Sequence, residues 1–596
     1  MTGLDHVKLH LVDSIDAMGE LQRWMGQSRP ILAVDTETEG LEWWHHKPRL
    51  IQVGDCDEGW AIPWDLWGGA VLDALAQYQG PIVMHNAPFD VKIMENWCGS
   101  KFPRHRIHDT RVLTHIREPH MPTGLKAVTA RLIDANAARS QRMLADAMKD
   151  NGWTWATVPL DFQPYWAYAA LDTVLTAQLF ELIYDDVMFS SPAAYDLEMG
   201  TTWCIIDMER KGVALDVEWT KEKLKAFRQY EVQAADWIKE NFNLTPGKAQ
   251  EIIARIKADT GYNFTEKTNG GMLSLDRSVL EDVIAVTGHP LAEMVLSRRR
   301  IQKMASSYLN KFLEIEHEGR VHASYNLLKN EWSKYGARTG RMSISEPPLQ
   351  QLPRKNNALP AAIAVRNCFT ASEGNVLLMC DFNQIEARLL AHFSRDPGLI
   401  QAFLAEGDFF VNIGRQLYDD PTMEKSDPRR TPTKNATYAK IFCAGVEKFA
   451  KTAGISYDQA NAIYSRLSQL YPGMDSFIQQ VINVGERRLK ETGQAYAMSP
   501  LTRRRWIADS DKTYALVNYL IQGVAAEVLK YKDLALMHAG LGQYMVLNVH
   551  DEVILDVPKE DVEDVRVAVE GIMNDDQLFT VPLTADSDIA FRWGEK

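Results

Sequence analysis

A buried-strand run that stops on carboxylates occurs twice in this 596-residue chain, once in each half. Ile31-Leu32-Ala33-Val34 leads into Asp35-Thr36-Glu37, and Val376-Leu377-Leu378-Met379-Cys380 leads into Asp381. A carboxylate at the end of a buried strand is costly to desolvate unless a cation or hydrogen-bond donors meet it. Each run therefore constrains what packs opposite it. Asp35 and Glu37 are two apart, so on a continuing strand both project from one face. Alone, Asp-x-Glu is more often a solvated loop than a metal site. Two further segments change that balance. His85-Asn86-Ala87-Pro88-Phe89-Asp90 follows the apolar run Ile82-Val83-Met84, and Tyr168 precedes Asp172 by four residues. On a helix, that spacing puts the hydroxyl and the carboxylate on one face about one turn apart.

Alternating strand and helix patterns run to Leu179, which predicts an α/β unit. Phe189-Ser190-Ser191-Pro192 is the best linker candidate, and long helices dominate after it. Near the C-terminus, Tyr544–Val549 and Val553–Val557 are expected to be strands. His550-Asp551-Glu552 between them must then form a tight turn with carboxylates at its tip. By spacing alone, an ordinary polar hairpin turn is the better explanation. Arg430, Lys434 and Tyr438 recur every four residues and would form one stripe along a helix. A cationic stripe ending in a ring suits a ligand with phosphates at one end and a planar base at the other, though an amphipathic surface helix has the same pattern.

Hydrophobic content of 46% and charged content of 24% exclude wholesale disorder. No apolar run reaches the ~20 residues of a membrane helix, and the N-terminus shows no signal-peptide pattern. Six cysteines with no Cys-x-x-Cys pair are read as buried cytosolic thiols. The net charge of −14 argues mildly against a protein coated in nucleic acid. Arg298-Arg299-Arg300 and Arg503-Arg504-Arg505 interrupt the acidic background, either as solvated helix faces or as local patches for a polyanion. Trp43 and Trp44, directly after the first carboxylates, are either core or a stacking platform for an unpaired base.

Asp35-x-Glu37, Asn86-x-x-Phe89-Asp90 and Tyr168-x-x-x-Asp172, in this order, resemble the three motifs of the DEDDy 3′–5′ exonucleases. The resemblance implies an RNase H-like α/β domain in which Asp35, Glu37, Asp90 and Asp172 hold two Mg²⁺ ions roughly 3.5–4 Å apart, with Tyr168 orienting the attacking water. Hard carboxylate oxygens suit Mg²⁺, and Mn²⁺ can substitute. His85 is read as structural or substrate-side and Asp109 as structural.

Downstream, Asp381-Phe382-Asn383-Gln384-Ile385-Glu386-Ala387-Arg388 resembles motif A of the family A DNA polymerases, the bacterial polymerase I group. Arg430-x-x-x-Lys434-x-x-x-Tyr438 is similar to motif B, and Val549-His550-Asp551-Glu552 to motif C. Asn518, Ile521–Glu527 and Thr339-Gly340-Arg341-Met342-Ser343 extend the match. The resemblance implies a mixed α/β right hand of palm, fingers and thumb. Asp381 and Asp551 would bind two further Mg²⁺ ions, with Glu552 beside them as a catalytic carboxylate. Arg430 and Lys434 would sit on the triphosphate, and Tyr438 on the sugar and base. Gln384 and Glu386 would complete the nucleotide site, Glu386 by excluding a ribose 2′-hydroxyl. Arg341, Arg388, Asn518, Gln522 and His550 would contact DNA. Asn383, Phe442-Cys443, Val524, Glu527 and Phe410 depart from the residues usual in the family.

The implied division is an exonuclease domain over about 1–190 and a polymerase domain over about 191–596, with a thumb over about 217–330 and palm and fingers over about 331–596. The expected partners are primer–template DNA, dNTPs and replisome proteins such as a helicase-primase or single-strand binding protein. The expected setting is the cytoplasm of a bacterial host, with a phage-encoded enzyme. The rivals are a single-subunit RNA polymerase-like enzyme and a non-catalytic primer-terminus binding protein.

Overall fold

A computed structural model describes residues 4–99, 102–328, 337–353 and 365–595. The N-terminal part is built on a six-stranded mixed sheet. Its strands are β1 (Lys8–Leu11), β2 (Leu32–Thr38), β3 (Pro48–Gly54), β4 (Glu58–Pro63), β5 (Ile82–Met84) and β6 (Ile107–Asp109), in the order β1-β4-β3-β2-β5-β6. β3 runs antiparallel to both neighbours, and the remaining pairs are parallel. β2 lies inside the sheet, which buries Leu32, Ala33 and Val34 and leaves Asp35 and Glu37 half-exposed on one face. Three helices matter for that face: α1 (Ala87–Cys98), α2 (Leu125–Leu132) and α3 (Gln163–Ser190). α3 packs across β2, β3 and β4. It lies so close that a Cβ on Gly59 would meet the Ala170 carbonyl oxygen at 2.2 Å.

The expected linker at Phe189–Pro192 is a break of a single residue. α3 runs to Ser190, Ser191 is buried, and Pro192 opens α4 (Pro192–Lys211) at a position where proline forfeits no helical hydrogen bond. α5 (Val217–Phe242) and α6 (Pro290–Lys303) then pack together in a helical arm. Its tip has its own core, which includes Ile238, Ile252, Ile256, Val279 and Leu291. The expected thumb–palm division near 330 lies outside the described residues.

β7 (Asn375–Phe382) begins the second major sheet. The helices α7 (Ile385–Ser394), α8 (Phe409–Leu417), α9 (Arg430–Ile441) and α10 (Ala515–His538) follow. The chain then returns through β8 (Met545–Val549), β9 (Glu552–Pro558) and β10 (Ala585–Ala590). The sheet order is β8-β9-β7-β10, antiparallel throughout.

One hydrophobic cluster joins both parts: Ile31, Ala33 and Val83 from the first sheet, Phe180 and Ile205 from α3 and α4, and Leu378, Ile521 and Leu555 from the second part. Buried charge reinforces the seam. Glu198 of α4 pairs with Arg504 and, at 2.6 Å, with Lys530 of α10, while Arg504 also meets His115 Nδ1 at 2.7 Å.

Candidate active sites

The first carboxylate group forms where β2, α1 and α3 converge. Asp35 and Glu37 project from one face of β2 as period-two geometry requires, and Asp172 comes from α3 with Tyr168 one turn before it. Each of Asp35, Glu37 and Asp172 offers a carboxylate oxygen within 4.8 Å of the other two. Asp90, in the first turn of α1, stands beside this group and accepts a 2.7 Å hydrogen bond from Thr36 Oγ1. Burial raises the Asp35, Glu37 and Asp90 carboxyls above the ordinary range, and Asp35 adds to the rise of the other two. Clustered buried carboxylates with only oxygen donors fit divalent cations.

Lys126 on α2 was not singled out by sequence. Its ammonium pairs with Asp172 and lies 4.6 Å from the centre of the Tyr168 ring. Burial opposes the charge on Lys126, while Asp35 and Glu37 support it. His85 Nδ1 meets Thr110 Oγ1 at 2.8 Å, and burial holds its imidazole neutral, near 3. Asp109 accepts the backbone N–H groups of Asn86, Ala87 and Arg111 and so fixes the turn before α1.

The second group sits at the tips of β7 and β9. Register pairs Asp381 with Glu552, and the Phe382 N–H donates to the Asp551 carbonyl at 3.3 Å, so Asp381 and Asp551 occupy neighbouring strand tips. His550 and Asp551 form the turn between β8 and β9, with His550 exposed and left-handed at φ 61°. Glu552 is buried on β9. Register also pairs Asp381 with Asp586 of β10, an acidic neighbour that motif reading missed.

Glu386, in the first turn of α7, is buried and accepts from Arg341 Nη2 at 2.6 Å and from Gln522 Nε2 at 3.5 Å. Arg341 also reaches Asp551 Oδ1 at 3.4 Å. Burial raises the Glu386 carboxyl, and the Arg341 guanidinium limits the rise. Gln384 precedes α7 in the left-handed region at φ 56°, which turns the chain sharply after Asp381.

α9 opens at Arg430 with Pro432 in its first turn, as the sequence leads one to expect. Arg430, Lys434 and Tyr438 follow its axis. The Tyr438 phenol is held protonated by burial and by the negative charge of Glu386 and Asp551. Buried Phe410 lies 5.7 Å from the Arg430 guanidinium, 5.8 Å from Lys434 Nζ and 5.9 Å from the Tyr438 ring, so one phenyl backs the whole stripe. Asn518 places a buried Nδ2 without a partner among the described residues.

Some expected contacts are otherwise engaged. Arg388 spends its guanidinium on the Asn383 and Pro582 carbonyls and on Thr584 Oγ1 at 2.7 Å. It braces the loop after β7 while remaining partly exposed. In the first basic triplet, Arg299 donates to the Leu275 carbonyl and Arg300 pairs with Glu281 at 2.7 Å. In the second, Arg504 is buried at 2% exposure and only Arg503 is fully exposed. Each triplet therefore spends part of its charge internally, Arg300 and Arg504 on carboxylates and Arg299 on a backbone carbonyl. Trp43 is buried, and Trp44 stacks on His317 at 5.9 Å and leans on His322 at 5.0 Å. The two rings bridge the two parts of the molecule.

A sheet-mounted carboxylate pair facing a cationic, aromatic helix is the layout of a nucleotidyl-transfer enzyme, here coupled to a second carboxylate centre on its own sheet. Comparison with known proteins agrees. The model for 3′–5′ exonuclease matches residues 10–187, and that for DNA polymerase family A matches residues 217–595. The chain belongs to DNA polymerase family A and carries a 3′–5′ exonuclease domain ahead of the polymerase domain.

The DNA polymerase of Mycobacterium phage D29 is 28% identical over 579 residues, covering 93% of this chain and 92% of the relative. That of Mycobacterium phage L5 is 26% identical over 611 residues, covering 99% and 97%. A solved structure described as the POL domain of Pol1 from M. smegmatis, in complex with DNA primer-template and dNTP, shares the fold. Its TM-score is 0.78 at 20% identity, with 98% of this chain and 99% of that chain covered. The family match decides for a DNA polymerase over an RNA polymerase-like enzyme or a non-catalytic binder. Both domain types depend on divalent cations. Among the described residues, no helix is long and apolar enough to cross a membrane.

Proposed function

We propose that primer extension takes place at Asp381 and Asp551, and removal of 3′-terminal nucleotides at Asp35, Glu37, Asp90 and Asp172, with two Mg²⁺ ions at each centre. What supports the reading most is the strand register that sets Asp551 beside Asp381, with Tyr438 of α9 facing Glu386. Divalent cations held by these carboxylates would lower the pKa of the primer hydroxyl, or of a water, and neutralise charge on the phosphate oxygens. Arg430 and Lys434 bind the triphosphate and offset charge that builds during transfer. Tyr438 carries the sugar and base, and Glu386, fixed by Arg341 and Gln522, closes the space a 2′-hydroxyl would need. Glu552 buttresses the pair from β9, and Gln384 shapes the entry to α7. Asn518, Gln522, Arg341 and His550 line the primer end. Minor-groove contacts of this kind test pair shape with little sequence readout. At the other centre, Tyr168 orients the attacking water.

The division is an exonuclease over about residues 1–190 and a polymerase over 191–596, acting on primer–template DNA and dNTPs in a bacterial host's cytoplasm. Helicase-primase and single-strand binding protein are the replisome partners this role calls for. Asp381→Ala is expected to abolish primer extension while 3′ degradation continues, and Asp35→Ala the reverse, on one labelled primer–template gel. Loss of both activities in either folded variant would sink the two-centre reading.

A further inference from the structure

We propose that Lys126 is a resident counter-cation of the exonuclease centre, which competes with divalent cations for Asp172 and so sets the metal requirement of excision apart from that of synthesis. The inference rests on the reading of Asp35, Glu37 and Asp172 as cation ligands. Lys126 sits on α2, a separate element from the strand and helix that supply the carboxylates. Its side chain is nearly covered, at 10% exposure, and its ammonium pairs with Asp172 Oδ1 while lying 4.6 Å from the Tyr168 ring centre. Asp35 and Glu37 attract the same ammonium.

A buried ammonium persists only where carboxylates meet it, and those facing Lys126 are the three that stand within 4.8 Å of one another. The cation on the lysine and any cation bound by the cluster therefore draw on the same oxygens. Entry of a divalent ion must weaken the Lys126–Asp172 pair, and the pair in turn opposes entry. The two effects are reciprocal by linkage.

The polymerase centre is arranged differently. There the Arg341 guanidinium gives its short contact, 2.6 Å, to Glu386 and reaches Asp551 at 3.4 Å. Glu386 thus absorbs most of the positive charge that would otherwise compete at the strand tips. One chain accordingly carries two metal-dependent centres with unequal competition from built-in cations. Because Lys126 acts through Asp172 and the Tyr168 ring, it is a positioning residue.

Mn²⁺ binding tests this directly, followed by electron paramagnetic resonance on the full chain with Asp381→Ala and Asp551→Ala in place to silence the polymerase centre. Lys126→Met, which keeps the stem and removes the charge, is expected to tighten Mn²⁺ binding about tenfold, the scale of removing one neighbouring unit charge. Lys126→Arg is expected to stay within about twofold, since the charge is kept. Unchanged or weaker binding in Lys126→Met overturns the proposal. If Asp172→Asn leaves Mn²⁺ binding intact, the failure lies instead with the reading of the carboxylates as ligands.

A second measurement uses the otherwise unaltered enzyme. Lys126→Met should lower the Mg²⁺ midpoint of single-strand 3′ degradation several-fold. The Mg²⁺ midpoint of primer extension, read on the same preparation, serves as the fold control and reference. Equal shifts of both midpoints would also overturn the proposal.

Discussion

Asp408 clasps Arg430 at two points, Nε to Oδ1 at 3.0 Å and Nη2 to Oδ2 at 2.5 Å. The same carboxylate caps α8 by accepting the Val411 N–H at 3.0 Å. Arg430 is thereby held in one orientation, with Phe410 beside it. Pre-aligned charge costs less reorganisation when a ligand binds.

Asp408→Asn keeps an acceptor for the α8 cap but removes the charge that holds Arg430. The KM for dNTP is expected to rise by about three- to tenfold, up to about 1.4 kcal/mol, with a smaller change in kcat. Single-nucleotide incorporation kinetics check this. A fall in KM would mean that Asp408 competes with the triphosphate instead of aiming its receptor.

The Glu198 carboxylate is the shared counter-ion of buried Arg504 and Lys530. Glu198→Gln strands two cations in the seam between the domains. Breaking a buried pair from one side typically costs about 3–5 kcal/mol, so a clear fall in Tm is expected. Arg503→Ala, at the exposed end of the same triplet, should change stability by no more than about 0.5 kcal/mol. Similar melting curves for both variants would refute the assignment.

Asp533 is fully buried on α10, and desolvation pushes its carboxyl up to about 8. Oδ2 accepts from Asn548 Nδ2 at 2.7 Å, while buried Oδ1 has no partner among the described residues. The folded value lies above the unfolded value of about 3.9. The folded protein therefore holds this proton between those limits, and the stability tied to it is fully present below about pH 4 and lost progressively as pH rises from there through about 8. Asp533→Asn mimics the protonated form. Its advantage over the parent should already be present at pH 6 and should grow by roughly 2–3 kcal/mol by pH 9. A Tm difference that is the same at both pH values would contradict this.

Both carboxylate centres were legible in the sequence because strand ends and four-residue helix spacing place side chains without knowledge of the partner. Asp35 with Glu37, Tyr168 with Asp172, and the Arg430–Tyr438 stripe are local geometry. Lys126 was not legible: it lies in an eight-residue helix with ordinary spacing, and only packing against α3 gives it meaning. Arg504 misled for the matching reason. A basic triplet looks solvated until Glu198, some three hundred residues away, is found opposite it. Asp90 illustrates a middle case, its motif recognised but its bond to Thr36 invisible to spacing.

The shared hydrophobic cluster and the buried one-residue break at Ser191 bear on how the two parts of the chain are held together. Domains separated by small polar contacts are free to swing, whereas a large apolar seam holds them still. Here one apolar core runs between the two carboxylate centres, so packing rather than a flexible linker sets the distance that separates them.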